Sequence, residues 1–576
     1  MNKSRILKLA LVIEATVLLS AASALSRNYQ DSWILEGLEI PFALFMVTYS
    51  IYFFTENKIT WIITFAIICR SVLLLLPNLK YEWFQGVAID SHRHYRLTQD
   101  IYNEGYVPSG NLYSDTPLMH LSFAIYSMIT NVSVLHSFKY FSVSYWLIYP
   151  LMIYLVMKKS GLTENPSLSK YALFISSLPV KSEVGSYIVI GTLFGPLLSF
   201  LILLQFIKMS QQNRRLDWVI AIIYSIALVT THTYSSIMLM MVLLAIYAII
   251  LSPQGRRIFN FKKISYVPFM TIVLINCAWL SLKATNLLEM IIETEIPYME
   301  RLLGYEAVAG VAIPPRLFEL GFTEALKVAI IFHGGDMLLM FLTLIGIVIA
   351  AKNFHTRSKS TFIFLSLYVT SLWLFLAVGL LVFNFGEQWY DRILRMTSTV
   401  SPIFASIPFF HMKKGIRNTK LAIFLIGLVI LAPIQHYRCQ PLVPPASAYS
   451  KDLPTDEPVV YINIVNSAYQ IHMIKHSETY FPQGKLIACD RVTRDQIFGL
   501  TNRTFPYSHL AWYYPLEMGA TERRYDYFLI HLPGKSGVLL EKAEARTKSL
   551  IYDAMTHSNI LYTNAESYIL TNPLMI

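Results

Sequence analysis

Apolar runs, most of them close to twenty residues long, dominate the first three quarters of this sequence. They lie at roughly 5–25, 35–54, 59–77, 137–157, 171–182, 187–207, 218–232, 234–251, 265–282, 326–350, 360–384, 396–411 and 419–437. About 20 mostly apolar residues in a helix cross the hydrocarbon core of a bilayer. Charge is correspondingly scarce: of 576 residues 55% are hydrophobic and 14% charged, where a soluble domain carries about 25% charge. The chain is therefore expected to be a polytopic α-helical membrane protein of about 13 spans. A soluble enzyme, a disordered chain and a nucleic-acid binder are excluded. The first run lacks a small-residue cleavage site with soluble chain behind it, so it is read as a helix and not as a leader.

The net charge of +11 fits either an anionic partner or basic cytoplasmic loops, and its distribution decides. Seven segments between the runs, from Lys3, Arg5 and Lys8 to Lys413, Lys414, Arg417 and Lys420, hold 21 basic residues. Against them stand three acidic ones, Glu56, Glu164 and Asp217. Placing all seven segments in the cytoplasm satisfies the positive-inside rule. The N-terminus is then inside, and loops 78–116 and 283–325 and residues 438–576 fall outside. Parity requires an odd number of crossings before Lys158, so the apolar stretch 117–133 is read as re-entrant or interfacial.

Residues 1–437 form the multi-span domain and residues 438–576 an extracytoplasmic soluble domain. The latter is large enough for its own core and has 13 basic and 13 acidic residues. It is entered through a linker from Pro441 to Pro458. Strands are expected at Val459–Ile462, Lys485–Ala488 and Tyr527–Ile530, and a helix near 538–555, giving an α/β domain. Cys69 and Cys277 lie in spans and pack as small apolar residues. A disulfide between the outer Cys439 and Cys489 is left open, because pairing cannot be deduced from sequence.

No P-loop, dinucleotide fingerprint, CxxC or HExxH is present. The informative stretch is Gly86-Val87-Ala88-Ile89-Asp90-Ser91-His92-Arg93-His94-Tyr95, just beyond an apolar run. A carboxylate at Asp90 can take the proton of an acceptor hydroxyl, or ligate a divalent cation together with His92 or His94. It can equally be a solvated loop acid. His333-Gly334-Gly335-Asp336 places ionisable groups inside a span, which marks either a functional site or a kink at the glycine pair.

An acidic residue beyond an early span, then Gly105-Tyr106-Val107-Pro108 and Tyr113, then Pro117-Leu118 re-entering the membrane, resembles the GT-C-type glycosyltransferases. These are multi-span enzymes that use polyprenyl-phosphate-linked sugars. They include oligosaccharyltransferase catalytic subunits, protein O-mannosyltransferases and aminoarabinose transferases. The resemblance covers the membrane part. It implies that Asp90 is the catalytic acidic residue and that Glu183, in Pro179-Val180-Lys181-Ser182-Glu183, is the second acidic position. It also implies a late outer-loop arginine on the donor phosphate, matched by Arg392 or Arg395; an interfacial pairing with Glu387 or Asp391 explains these equally. His232, in the polar turn Thr231–Ser236, can touch donor phosphate or sugar, or simply face water.

Three departures narrow what carries over. Two additional spans precede the Asp90 loop, the sequon-binding WWDYG signature is absent, and Asp90-Ser91-His92 is not a strict acidic pair, so a divalent cation stays open. The implied activity is transfer of a sugar from a polyprenyl-phosphate donor to a glycan, lipid or protein acceptor on the extracytoplasmic face. Inversion by single displacement and Asp90 as general base follow from the same resemblance. The competing reading is a transporter or lipid flippase that uses His333 and Asp336.

Overall fold

The computed structural model describes residues 3–25, 37–80, 90–109, 112–159, 166–179, 194–212, 215–252, 266–285, 322–353, 364–374, 387–411 and 426–433, with residues 487–489, 527–531, 560–564 and 567–571 of the C-terminal part. The first group is helical almost throughout. In chain order come α1 (Lys3–Leu25), α2 (Glu39–Thr55), α3 (Ile59–Lys80), α4 (Asp90–Glu104), a 3-10 turn (Leu112–Asp115), α5 (Leu118–Thr130), α6 (Val134–His136), a π-helical turn (Ser137–Phe141), α7 (Ser142–Leu147), α8 (Tyr149–Lys159) and α9 (Pro166–Ser177). There follow α10 (Gly195–Gln212), α11 (Arg215–Val229), α12 (Thr233–Leu251), α13 (Tyr266–Leu282), α14 (Phe322–Asn353), α15 (Phe364–Leu374), α16 (Glu387–Ser398) and α17 (Ser401–His411).

Among the described residues, three helical stretches are long and apolar enough to cross a membrane unaided: Ser4–Leu25, Ile59–Leu79 and Gly334–Lys352. Others, such as Glu39–Thr55 and Thr233–Ile249, are shorter but apolar. Several turn apolar rows outward. On α14 Met337, Phe341, Leu344 and Val348 are exposed, and on α11 Leu216, Val219, Ile223 and Ile226. These rows recur at helical spacing, the inverse of a water-facing helix, and suit a hydrocarbon solvent.

Two apolar clusters fill the interior. One gathers α1, α2, α3 and the C-terminal half of α9 with Leu339 and Leu342 of α14 and Phe409 of α17. The other gathers α5, α7, α8, α10, α12 and α15 with Ile393 and Met396 of α16. At one end of the first cluster Glu56 joins four helices. Its carboxylate takes bonds from Ser4 Oγ (2.8 Å) and Lys8 Nζ (2.7 Å) of α1, and from the amides of Asn57 (3.0 Å) and Lys58 (2.9 Å) at the start of α3. Lys170 Nζ of α9 donates to the Glu56 carbonyl at 2.7 Å. Partial burial works to raise the Glu56 carboxyl, but Lys8, the Lys58 amide, Ser4 and the Asn57 amide outweigh it and bring it down to about 2.

The expected span 137–157 is not one helix. It is a π turn, then α7, then α8, with a break at Ile148. Pro150 accounts for the break: it has no N–H for the carbonyl of Trp146 four residues back. Residues 387–395, expected as an outer loop, belong to α16, and the following helix begins only at Ser401. The glycine pair Gly334-Gly335 does not kink its helix, since α14 runs unbroken from Phe322 to Asn353. Its close approach to α17 is made instead by Gly346, where a Cβ would overlap the Phe404 carbonyl.

In the C-terminal part the described strands β1 (Ile487–Cys489), β2 (Tyr527–His531), β3 (Ile560–Asn564) and β4 (Ser567–Thr571) form one sheet in the order β1-β2-β4-β3. β1 and β2 are parallel, and the other pairs antiparallel. β1 and β2 meet two expected strands, whereas the β3–β4 hairpin was not anticipated. Val459–Ile462, the helix near 538–555 and Cys439 lie outside the described residues.

Candidate functional site

Asp90 does not sit in a loop: it is the first residue of α4. The helix follows from its pattern, with His94, Leu97, Thr98 and Ile101 buried at i, i+3, i+4 and i+7 while Arg96 and Asp100 pair at 2.8 Å on another side. It stops at Gly105, whose φ of +77° closes the last turn. Position 90 lies one turn before His94 on the same side of the helix. That side packs on α5, through Leu97 and Ile101 against Ala124.

His94 is 3% exposed, and its Nδ1 is 2.8 Å from Nε2 of His120, which is 1% exposed. The ring of Tyr113 lies 4.1 Å from that of His94, centroid to centroid. Burial and the neighbouring His94 hold the His120 imidazole well below its usual range, so it stays neutral. His94, expected to touch substrate, thus fastens α4 to α5. Its partner His120 went unremarked in the sequence; the available signal was a lone imidazole within the apolar run Leu118–Thr130.

α5 is fastened in turn to the turn that carries His232. The Leu118 amide donates to the carbonyl of Thr230 (3.0 Å), and Trp279 Nε1 of α13 donates to the carbonyl of Asp115 (3.1 Å). His232 caps α12, its Nδ1 accepting from the amide of Ser235 at 3.2 Å and lying 2.7 Å from the Ser235 hydroxyl. α10 starts beside it, because Gly195 has no Cβ to strike Ser235. Two long helices therefore point their N-termini into one place. Unpaired amides and the positive dipole end make such termini favourable for anions. Thr233 and Ser236 in the first turn of α12 are both 1% exposed.

The structure thus brings the start of α4, the His94–His120 pair and the His232 turn to one end of the bundle, away from Glu56. Arg392 lies on α16; Arg395, on the same helix, is half-buried. Glu183 lies outside the described residues. As for a cation, no group of three metal-ligating side chains occurs among the described residues.

No family model and no curated protein sequence matches the chain. Solved structures do. The oligosaccharyltransferase of Archaeoglobus fulgidus, crystallised with Zn and sulfate, aligns over 89% of this chain and 73% of its own with a TM-score of 0.52 at 12% identity. The same enzyme tethered to an acceptor peptide with an NVT sequon aligns over 90% and 74% at 0.50 and 12%. ArnT from Cupriavidus metallidurans aligns over 89% of this chain and 97% of its own at 0.48 and 9%. The likeness to GT-C-type glycosyltransferases read from the sequence is present in the structure as a likeness of fold.

Proposed function

We propose that this chain is a membrane glycosyltransferase that moves a sugar from a polyprenyl-phosphate donor to an acceptor on the extracytoplasmic face. One observation carries the reading: in a GT-C-like fold, the helix that begins at Asp90 is fastened through α5 to the His232 turn, where α10 and α12 present their N-termini. A general base and an anion-favouring surface then occupy the same end of the bundle. Asp90 takes the proton of the acceptor hydroxyl as the sugar C1–O bond to phosphate breaks and the acceptor O–C1 bond forms, so the anomeric centre inverts. The departing phosphate keeps its electron pair and rests on the α12 N-terminus, His232 and Arg392 or Arg395. Glu183 supports the acceptor hydroxyl.

The orientation belongs to the same proposal, with the N-terminus in the cytoplasm, about 13 spans, and residues 438–576 outside. It is supported by Lys8, Lys58 and Lys170, which come from three different basic segments and meet around Glu56 at the end remote from Asp90.

Proteoliposomes supplied with a radiolabelled polyprenyl-phosphate sugar and membrane extract as acceptor source test this directly. Label should pass to acceptor with stoichiometric release of polyprenyl phosphate. Arg392→Ala or Arg395→Ala should slow transfer by roughly 100-fold, the cost of removing one charge-stabilising group. Label that crosses the bilayer still attached to its lipid would establish a flippase instead.

A further inference from the structure

Three prolines stand at helix ends inside the bundle, and two side chains collect backbone carbonyls beside them. Pro150 in α8 offers no amide to the Trp146 carbonyl four residues back, and Pro402 in α17 offers none to that of Ser398. α9 ends at Ser177, just before Pro179, so the carbonyls of Ser176 and Leu178 lie at and beyond its last turn, where a helix supplies no donor of its own. Arg70, fully buried in the middle of α3, gives Nε to the Trp146 carbonyl (2.6 Å) and Nη1 to those of Ser176 (2.5 Å) and Leu178 (3.5 Å). Its guanidinium lies 4.6 Å from the centroid of the Tyr149 ring. The Tyr149 hydroxyl donates to the carbonyls of Ser398 (3.1 Å) and Thr399 (2.9 Å).

Two of the elements held in this way are tied by the chain to residues assigned above: α3 precedes Asp90 in sequence, and α16, ending at Ser398, carries Arg392 and Arg395. Resting on the transferase reading, we infer that Arg70 and Tyr149 are positioning residues that fix α3, which precedes Asp90 in the chain, and the arginine-bearing α16 relative to one another. A planar fork with several donors suits this place, since it reaches carbonyls of two helices at once while stacking on an aromatic ring. A lysine has one point charge and cannot.

The test compares Tyr149→Phe, Arg70→Lys and Arg70→Met with Phe65→Leu, a core change on the opposite side of α3 packed against Tyr52. Tyr149→Phe keeps the ring and loses only the hydroxyl. It should lower kcat by roughly 10- to 100-fold, as a displacement of about 1 Å does, with the acceptor KM unchanged. Hydrogen exchange should accelerate in the peptide across residues 394–403. Arg70→Lys should match Arg70→Met in kcat, whereas Phe65→Leu should lower the melting temperature and leave kcat in place. Unchanged exchange at 394–403 in Tyr149→Phe, or losses of kcat that simply follow melting temperature across all four variants, would overturn the inference. A wild-type chain that transfers no sugar, yet shows the exchange response, would overturn the transferase reading and leave the node standing.

Discussion

The two ends of this bundle are held by different chemistry. At the Glu56 end a carboxylate, two lysines and capping amides join α1, α2, α3 and α9. At the Asp90 end the described joints are neutral: an imidazole pair, two backbone carbonyls and a histidine cap. Charge at the first end is consumed by structure. At the second, Asp90 is the charge assigned to the chemistry proposed above. A residue's charge is therefore a poor guide to its role here until its end of the bundle is known.

This comparison can be broken by mutation, and the largest effect is expected at the charged end. Glu56→Gln leaves Lys8 with a neutral partner in a nearly buried place and should cost roughly 3 kcal/mol, read as a lower melting temperature in nanodiscs with transfer unchanged at permissive temperature. Gly195→Ala comes next. The new Cβ would strike Ser235 and push α10 from α12, for roughly 2 kcal/mol, and sugar transfer should fall with it because the His232 turn moves. His120→Leu, with loss of one buried hydrogen bond, should cost about 1 kcal/mol and appear as faster hydrogen exchange in α4.

Acid should separate the ends as well. His120 is neutral in the folded chain and takes up a proton more readily once α4 and α5 part, so this joint is complete above pH 6.5 and weakens as pH falls below that value. Glu56 behaves likewise about a lower range: its contribution is complete above 4.5 and is lost as pH falls toward about 2. Exchange followed by peptide between pH 7 and 3 should show α4 loosening before α1. The reverse order would contradict the assignment of the two joints.

Much of this was legible in the residues. Apolar runs gave the helices because a span needs little beyond length and hydropathy, and the basic segments foretold that Lys8, Lys58 and Lys170 would share an end. The interruptions were harder to see. Pro150 sits inside an apolar run that reads as one span, and only the structure shows Arg70 filling the gap it makes. The helix of Arg392 and Arg395 was hidden by its polarity, since an amphipathic helix near a bilayer surface resembles a loop on any hydropathy reading. His94 looked like an exposed ligand because its spacing from Asp90 was read as loop; once α4 is a helix, four residues carry it to the buried face. Glu183 was reached through resemblance alone.

The central claim is that Asp90 removes the acceptor's proton. Its most direct measurement is the single-turnover transfer rate of Asp90→Asn in proteoliposomes with a radiolabelled polyprenyl-phosphate sugar. The account predicts a fall of at least about 100-fold with an unchanged melting temperature, because asparagine keeps the shape and hydrogen-bonding capacity of the first residue of α4. Transfer within about threefold of the wild-type rate, below what loss of a general base costs, would contradict it.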